Sequence, residues 1–425
     1  MIRSIKGIKD ILPDQMPRWA IIEATAHKLA QCYGFSEIRI PTFEQTQLYS
    51  RSIGESTDVV EKEMYTFQDR DGTFLTLRPE GTAGVVRAFL EHNLTSQFSM
   101  RKLYYIGPMF RHERPQAGRF RQFHQFGVEV FGTEDPFMDV EVITLLWQYF
   151  TDLQLPDLTL YINSIGSTDD RLLYITQLQT YVQDQIQDFC ENCQRRVQTN
   201  PLRVLDCKVT KCRLLTDHAP KLLDHLSSLS ASHFQSVQEG LSLLNIPFTL
   251  DHRLVRGLDY YSQTTFEITS SYLGAQNTIG AGGRYDGLVR NLGGPITPAV
   301  GFAVGLERVN LLLPDSLIPS SPAMVFIAAF GEFGRPAGVK LLHTLRQSRF
   351  IVETDYRAKS LKSHLRSADR LGAQLTIILG DDEEKKDQVI IRNMQNKMQI
   401  EVPISLVPEK LGLWIHHNVD IFLIS

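Results

Sequence analysis

Four arginines lie within eleven residues of one another, between two runs typical of β-strands. They are Arg111, Arg114, Arg119 and Arg121. The planar fork of arginine can bind two phosphate oxygens at once, and several forks together stabilise charge that develops on pyrophosphate during a displacement. The cluster therefore predicts a hairpin loop that binds ATP. The alternative is a solvated hairpin held by ion pairs with carboxylates such as Glu113 and Glu129.

Four of the five cysteines lie close together in the sequence, with C-x2-C and C-x4-C spacing. They are Cys190, Cys193, Cys207 and Cys212. This spacing is compatible with a tetrahedral zinc site. The second pair is looser than in a zinc ribbon, and buried reduced cysteines commonly pack as small apolar residues. We therefore do not expect a metal ion here, and zinc is kept as the alternative.

A glycine-rich stretch, GAGGRYDG, begins at Gly280. It lacks the preceding strand, the G-x-G-x-x-G spacing and the downstream acidic residue of a dinucleotide-binding loop, so that function is rejected. Its glycines favour either a close approach of the backbone to a substrate or an ordinary tight turn.

The elements that must position these residues fall into three stretches. The first has a helix from Pro17 to Tyr33, a strand over residues 36–44 that contains a proline, and further strands. We place those further strands at 64–67, 74–77, 102–110 and 125–131. Consecutive strands without helical crossovers predict antiparallel pairing. A Leu- and Gln-rich stretch at about 168–244 predicts a helical insertion, and alternating strands and helices beyond a Pro/Ser linker at 316–323 predict a small α/β domain.

Bulk composition sets broad limits on the function. The chain has 425 residues, of which 43% are hydrophobic and 22% charged, as in globular proteins of two to four domains. A net charge of -4 means that a nucleic acid would have to bind local cationic patches. No apolar run is long enough for a membrane span or resembles a signal peptide, and five cysteines fit a reducing compartment. We expect a cytoplasmic protein with no membrane partner.

Several strings resemble the motifs of one enzyme family. FRHE, ending at Glu113, resembles the second signature motif of class II aminoacyl-tRNA synthetases, and GFAVGLER at 301–308 resembles the third. RGLDYYSQTTFE from Arg256 and GAGGRYDGL from Gly280 resemble the two histidine-specific motifs of histidyl-tRNA synthetases. KGIKDILP near the start and LRPEGT at 77–82 extend the resemblance, and the motifs stand in the family's order.

The resemblance implies an α+β fold: an antiparallel-sheet catalytic domain over 1–320, with the helical insertion, and a C-terminal α/β anticodon-binding domain over 321–425. It implies an ATP-dependent ligase that activates L-histidine to histidyl-adenylate, releases pyrophosphate, and transfers histidine to the 3′ end of its tRNA. Mg²⁺ is expected with ATP, held mainly by the phosphates. A homodimer is expected, because the region of Pro41 resembles the first class II motif, which builds the dimer interface.

The family's functional residues map onto this sequence by motif. The implied catalytic residues are Arg256 and Arg111. The implied histidine-binding residues are Glu80, Gly81, Thr82, Gln125, Glu129, Tyr260, Tyr261 and Tyr285. The implied ATP-binding residues are Arg111, Glu113, Arg119, Phe123 and Arg308. Candidate tRNA contacts are Arg114, Gln116, Arg357, Lys359, Lys362 and Arg366, the last four of which also fit an ordinary solvated helix.

Two alternatives belong to other functional classes. One is the non-catalytic, synthetase-like regulatory subunit of ATP phosphoribosyltransferase, which normally lacks an anticodon-binding domain and has eroded motifs. The other is a histidine- or tRNA-sensing module, like the synthetase-like domains of stress kinases. This chain contains no sequence that resembles a kinase. One departure from the family's pattern is the pair Ser262 and Gln263, where Thr and Gly are commoner. Glycine would let the backbone come closer, so the local loop shape is in question.

Overall fold

The structure, a computed structural model, describes residues 2–54, 57–94, 100–274, 277–319 and 323–417. The chain divides into two units, Met1–Ile318 and Pro319–Ser425. The predicted linker at 316–323 lies partly outside the described residues. No helix in the described ranges is long and apolar enough to span a membrane.

The first unit has eleven described strands. They are β1 (Ser36–Glu37), β2 (Phe43–Gln45), β3 (Tyr65–Gln68), β4 (Phe74–Leu77), β5 (Arg101–Phe110), β6 (Gln122–Phe131), β7 (Leu158–Ser164), β8 (Thr249–Leu250), β9 (Ser262–Ser270), β10 (Thr278–Arg284) and β11 (Ala299–Gly305).

This unit also contains ten described α-helices. They are α1 (Met16–Cys32), α2 (Thr46–Ile53), α3 (Thr82–Glu91), α4 (Pro136–Asp152), α5 (Thr168–Gln183), α6 (Glu191–Thr199), α7 (Thr210–Leu215), α8 (Ser228–Leu243), α9 (Leu288–Asn291) and α10 (Leu306–Leu312). Single-turn 3₁₀ helices and one π-helical turn, Val59–Glu63, complete it. The 3₁₀ turns are Ile186–Asp188, Pro201–Val204, Leu222–His225, Ser271–Leu273 and Asp315–Leu317.

Eight of the described strands form one sheet in the order β1-β5-β6-β11-β10-β9-β7-β8. Its interior pairs are antiparallel, as the sequence predicts, whereas the two edge pairs, β1 with β5 and β7 with β8, are parallel. Strands β2, β4 and β3 form a separate antiparallel sheet. The fold class predicted for this unit, an antiparallel-rich sheet with helices, is confirmed.

The alternation of side chains along β6 separates the core from the cavity of the molecule. Phe126, Val128 and Val130 point into the main core, where α1, α4, α8 and α10 cover the sheet. Because successive residues of a strand face opposite sides, Gln125 and Glu129 point to the other face. That face carries the candidate active site.

Helix α1 illustrates why the sequence forms these elements. Pro17 stands in its first turn, where no backbone N–H is needed, and Gly34 just beyond it adopts a φ of +78°. Its buried residues recur at helical spacing and face the core; they are Trp19, Ile22, Ala26, Leu29 and Ala30.

The predicted single strand over 36–44 is wrong. Residues Ser36–Glu37 join the large sheet and Phe43–Gln45 join the small one. Between them, the carbonyls of Ile40 and Pro41 accept hydrogen bonds from Arg78 Nη1 at 2.6 and 3.2 Å, and Pro41 has no N–H to donate to a neighbouring strand. A buried arginine from another segment therefore replaces the strand pairing.

The second unit has a mixed sheet. Its elements are β12 (Met324–Ala329), α11 (Gly334–Gln347), β13 (Ile351–Glu353), α12 (Leu361–Arg370), β14 (Leu375–Leu379), α13 (Asp381–Lys385), β15 (Gln388–Asn393), β16 (Gln399–Pro403), the 3₁₀ turn Ile404–Leu406 and α14 (Val407–His417). The described strand order is β13-β12-β14-β15-β16. The first three strands are parallel, as alternating strands and helices predict, and the last two add an antiparallel hairpin that the sequence did not indicate.

Candidate active site

A cavity of about 1290 Å³ opens on the face of the large sheet opposite the main core. Most of the residues predicted to bind histidine or ATP line it. These are Glu80, Thr82, Arg111, Glu113, Arg119, Phe123, Gln125, Glu129, Arg256, Tyr260, Tyr261, Tyr285 and Arg308. Residues that lie up to 228 positions apart in the sequence (Glu80 and Arg308) therefore meet in one place.

One part of the cavity, which we call the carboxylate end, comprises Glu80, Thr82, Glu129 and Tyr285. Glu129 is only 1% exposed. Its Oε1 accepts a hydrogen bond from Thr82 Oγ1 at 2.6 Å, and its Oε2 accepts one from the Tyr285 hydroxyl. Burial raises the pKa of Glu129 to about 8, although both hydrogen bonds oppose the shift.

Glu80 stands at the beginning of helix α3. Its carboxylate accepts the backbone N–H groups of Thr82 and Ala83 at 2.9 and 2.8 Å, two groups that a helix leaves without partners at its N-terminus. Gly81, which lies between Glu80 and Thr82, is the N-cap residue of α3. Burial raises the pKa of Glu80. The helix end thus fixes a carboxylate at the cavity wall.

Glycines on the sheet make room for the large groups at this end. Gly301 on β11 lies directly opposite Glu129 on β6, and a Cβ at Gly301 would overlap the Glu129 carboxylate. Gly127 lies opposite Tyr105 on β5, and a Cβ there would overlap the Tyr105 ring. These positions need glycine for space rather than for backbone conformation, since neither has a positive φ.

Three tyrosines form the wall beside Glu129. The rings of Tyr260 and Tyr261 are 4.7 Å apart, and the ring of Tyr260 is 5.5 Å from that of Tyr285. Burial raises the pKa of all three hydroxyls. They are therefore neutral donors over the whole physiological range.

Some polar atoms here have no partner among the described residues. One of them is Gln125 Oε1, which is buried. A buried polar group without a hydrogen bond is costly, and native proteins rarely tolerate one. The unpaired acceptor lies in the same cavity as Glu80 and Glu129. A cationic ligand with N–H groups could donate a hydrogen bond to it.

The other part of the cavity, which we call the arginine end, comprises Arg111, Arg119 and Arg308. Arg119 pairs with Glu113 Oε2 at 3.0 Å, and Arg111 Nε donates to the carbonyl of Pro79 at 2.8 Å. Burial and the positive charge of Arg119 lower the pKa of Arg308. Three cations held together against their mutual repulsion predict an anionic ligand.

An aromatic ring accompanies these arginines. The Arg111 guanidinium lies 5.5 Å from the centroid of the Phe123 ring, which projects into the cavity from β6. A flat, half-buried ring beside phosphate-binding cations is the arrangement that would stack on a nucleotide base.

Arg256 connects the two ends. Its Nη1 pairs with Glu267 Oε2 at 2.9 Å, and its guanidinium lies 5.8 Å from the Tyr261 ring centroid. Glu267 Oε1 in turn accepts from Thr278 Oγ1 at 2.5 Å, and the Thr278 carbonyl accepts from Arg308. Side chains on β9 and β10 thereby hold Arg256 between the tyrosines and the arginine end.

Gln263, the departure from the family's pattern, adopts a φ of +51°. This left-handed conformation explains the preference for glycine at this position, because other side chains pay a steric penalty there. Here the backbone is held by Gly166, whose carbonyl accepts the Gln263 N–H at 2.8 Å, and the side chain donates to Ser230 Oγ at 3.1 Å. Gln263, near the start of β9, therefore adopts a conformation that glycine would adopt more easily.

Other predicted residues lie outside this cavity lining. Arg114 and Gln116 are exposed in the loop between β5 and β6. In the second unit, Arg357 and Lys359 are exposed just before α12, and Lys362 and Arg366 are exposed one turn apart on it. The cysteines lie in the insertion, where Cys190 and Cys207 reach the rim of the cavity.

Several structurally important residues carry no signal in the sequence. Glu267 ends the motif that begins at Arg256, and its position eleven residues later does not indicate that the two side chains pair. Glu307 accepts the backbone N–H of His124 and pairs with its ring at 3.0 Å, which ties α10 to β6. Arg284, beside Tyr285, is buried and pairs with Asp139 at 2.7 Å, so it supports the tyrosine rather than the cavity. A sequence motif alone does not show which of its residues would bind a ligand and which hold those residues in place.

The antiparallel sheet, the arginine-bearing hairpin and the helix that follows β11 together define the catalytic unit of a class II aminoacyl-tRNA synthetase. Comparison with known proteins identifies the family. A family model for histidyl-tRNA synthetase matches residues 7–309, and one for an anticodon binding domain matches residues 325–412. The chain therefore belongs to the histidyl-tRNA synthetase family.

Individual relatives agree over nearly the full length. The histidine–tRNA ligase of Geobacter sulfurreducens is 48% identical over 97% of this chain and 99% of the relative, and that of Trichlorobacter lovleyi is 50% identical over 90% and 91%. A solved structure of apo S. aureus histidyl-tRNA synthetase has a TM-score of 0.80 at 37% identity, covering 96% of this chain and 99% of that one. The predicted family and fold class are confirmed, and the regulatory-subunit alternative is not favoured.

Proposed function

We propose that the cavity of this histidine–tRNA ligase binds L-histidine at the carboxylate end and ATP at the arginine end. In the first step a carboxylate oxygen of histidine attacks the α-phosphorus of ATP. The new P–O bond gives histidyl-adenylate, and the bond to the β-phosphate breaks to release pyrophosphate. In the second step a hydroxyl of the tRNA 3′-terminal ribose attacks the histidyl carbonyl carbon. The bond from that carbon to the phosphate oxygen breaks, AMP leaves, and the hydroxyl proton passes to the departing phosphate or to water.

Histidine recognition follows from the buried acceptors. The substrate ammonium group needs carboxylate and hydroxyl partners, which Glu80, Thr82 and the unpaired Gln125 oxygen offer. The imidazole N–H needs a buried acceptor, which Glu129 offers beside Tyr261 and Tyr285. An analogue without that N–H would leave Glu129 without a ligand donor in a dry site, which is how such sites reject near-isosteres.

ATP recognition follows from the cations. Arg111, Arg119 and Arg308 bind phosphate oxygens, and Phe123 stacks on the adenine. Arg256, between the two ends, contacts both the histidine carboxylate and the α-phosphate and stabilises the charge that develops between them. Holding two anions in line is the main requirement of this step, and no side chain has to act as an acid or base.

Mg²⁺ enters with ATP. This ion prefers one or two carboxylates together with phosphates and water, and the carboxylates of Glu113 and Glu267 line the cavity. The ion neutralises phosphate charge when it is bound. The residues present therefore fit a phosphate-held Mg²⁺.

A homodimer in the cytoplasm completes the proposal. The three-stranded sheet that follows Pro41 exposes an apolar face, with Phe43 52% and Phe67 45% exposed and their rings 6.2 Å apart. Large apolar side chains grouped on a surface favour a protein partner. Sedimentation should give a dimer, and Phe67→Arg should shift it towards monomer.

The observation that carries the proposal is the position of Arg256 between an amino-acid pocket and a phosphate pocket. The test is histidine-dependent exchange of labelled pyrophosphate into ATP by the purified protein with Mg²⁺. We expect exchange with histidine alone among the amino acids, and a loss of about 100- to 1000-fold in Arg256→Ala. Arg290→Ala, an exposed arginine on α9, is the matched control and should keep full exchange.

Absence of exchange despite measurable histidine binding would contradict the proposal. Exchange that Arg256→Ala leaves intact would instead contradict the role given to the arginine. The first outcome tests the proposed reaction, and the second tests the role of Arg256 in it.

The tRNA contacts have their own test. We propose that Arg114 and Gln116 of the hairpin, and Arg357, Lys359, Lys362 and Arg366 of the second unit, contact tRNA. The double variant Lys362→Ala/Arg366→Ala should lower aminoacylation roughly tenfold while pyrophosphate exchange stays unchanged, because exchange needs no tRNA. Lys340→Ala on α11 is an exposed control. Equal effects on both reactions would contradict a tRNA contact.

A further inference from the structure

The four clustered cysteines of the insertion bring their sulfur atoms together. All four Sγ atoms lie within 4.8 Å of one another, and Cys190 Sγ is 3.9 Å from Cys207 Sγ. All four are free thiols; Cys193, Cys207 and Cys212 are buried and Cys190 is partly buried. Three separate segments supply them, so the clustering is a product of the fold and not of the C-x2-C spacing alone.

The distances fit a metal-centred tetrahedron better than a disulfide. With metal–sulfur bonds of about 2.3 Å, the sulfur atoms of a tetrahedral zinc site are about 3.8 Å apart. A disulfide requires sulfur atoms about 2.05 Å apart and would join only two of the four. The Cys190–Cys207 separation matches the edge of such a tetrahedron, and the outer limit of 4.8 Å requires only small side-chain shifts.

The backbone around the cluster brings N–H groups close to the sulfur atoms. Cys190 is the N-cap residue of α6 and Cys193 lies in its first turn, where a helix leaves backbone N–H groups without helical partners. The N–H of Cys190 also donates to Cys212 Sγ at 3.3 Å. Cys207 follows the 3₁₀ turn Pro201–Val204, and Cys212 lies in α7.

The segment that surrounds the cluster is built from short helices. Between residues 186 and 225 the described helices contain three to nine residues each, and helices of that length are unstable without tertiary contacts. Apolar side chains such as Phe189, Val197 and Leu205 pack this segment into the second core cluster of the unit. A metal ion that joins four positions would add a constraint to that packing.

We propose that Cys190, Cys193, Cys207 and Cys212 bind one structural zinc ion as four thiolates. Each thiol releases its proton to solvent as its zinc–sulfur bond forms, so no oxidant or reductant is needed. Sulfur ligands exclude Mg²⁺ and Ca²⁺, and a closed tetrahedral set leaves no position for a reacting water, which makes the site structural rather than catalytic.

The site has a consequence for the cavity. The zinc-bound segment carries Arg196 and Arg203, which pair with Asp58 at 3.5 Å each. It also carries Asn200, whose amide donates to Asp259 at 2.6 Å, three residues after Arg256. The zinc ion would therefore fix the part of the insertion that packs against the loops of the active site.

The test is the metal content of the full-length protein, purified without chelators and measured by mass spectrometry. We expect one zinc per chain, released only when a mercurial reagent modifies the thiols. Cys212→Ser should retain less than about a tenth of the zinc, because a structural site depends on all four ligands. Cys32→Ser, which removes the exposed cysteine outside the cluster, should retain all of it.

A second measurement does not depend on how a variant folds. Wild-type protein stripped of metal and reloaded with Co²⁺ should show the intense visible bands of tetrahedral cobalt bound to thiolates. Stoichiometric iron, a disulfide among the four cysteines, or wild-type protein that neither contains nor takes up a stoichiometric metal would each overturn the proposal. Equal zinc in the wild type, Cys212→Ser and Cys32→Ser would overturn it too, because the metal would then lie elsewhere.

Discussion

The carboxylate end and the arginine end belong to one cavity but bind their ligands by different physical means. At the carboxylate end, Glu129 and Glu80 are buried, each oxygen is hydrogen-bonded, and the supports are a sheet and a helix N-terminus. At the arginine end, cations repel one another and are carried partly by a hairpin loop. The difference indicates that the first end provides selectivity for one side chain, whereas the second provides electrostatic attraction for any suitable phosphate.

Removing the charge of Glu129 should damage the carboxylate end most. Glu129→Gln loses the charge-assisted hydrogen bond to the substrate, which is worth about 3 kcal/mol, so kcat/KM for histidine should fall about 100-fold. The KM for ATP should change less than about twofold, because Glu129 does not reach the phosphates. Steady-state pyrophosphate exchange measures both constants, with the milder Tyr285→Phe as the matched variant. Equal losses for both substrates would erase the distinction between the ends.

Removing one cation from the arginine end should have a smaller effect, and it should affect ATP binding instead of histidine binding. Arg308→Ala should raise the KM for ATP about 10- to 30-fold and leave the KM for histidine unchanged, because Arg111 and Arg119 remain. Arg308→Lys should recover only part of the loss, since an ammonium group cannot hold two phosphate oxygens as a guanidinium does. A rise in the KM for histidine alone would contradict the placement of Arg308 at the ATP-binding end.

The two ends should also differ in their response to pH. Because burial raises the pKa of Glu129 to about 8, its carboxyl group is largely protonated in the empty site at pH 7. A bound imidazole N–H favours the carboxylate and lowers this pKa, so histidine binding should release up to about one proton, and affinity should increase as the pH rises from 7 towards 8. Calorimetry in buffers of different ionisation enthalpy counts the protons. Glu129→Gln should release fewer; the same release from that variant would assign the proton to another group.

Salt should have the smallest effect and should act on one end. Raising the ionic strength from about 0.05 M to about 0.5 M should increase the KM for ATP roughly threefold, because counterions screen the partly exposed arginines. The KM for histidine should stay nearly constant, because its partners are buried. A parallel rise in both constants would mean that the carboxylate end is more open to solvent than its burial indicates.

Many helices and strands could be predicted because the signals that define them lie within the element itself. The helix at Met16–Cys32 and the strand at Phe74–Leu77 follow from periodicity and from glycine and proline at their ends. The break between Ser36–Glu37 and Phe43–Gln45 could not be predicted, because it depends on Arg78 from a distant segment taking the intervening carbonyls. The edge strands that pair in parallel are likewise set by partners far away in sequence.

The chemical groups that are available, and their order along the chain, can be read from the sequence: the arginines of the hairpin, the Arg256 motif, and the cysteine pairs. That Glu267 faces Arg256, that Gly301 makes room for Glu129, and that four sulfur atoms meet in the insertion depends on the folded chain. The physical reason is that chemical type is a property of each residue, whereas proximity depends on strand register and packing, which the whole set of distant contacts fixes together.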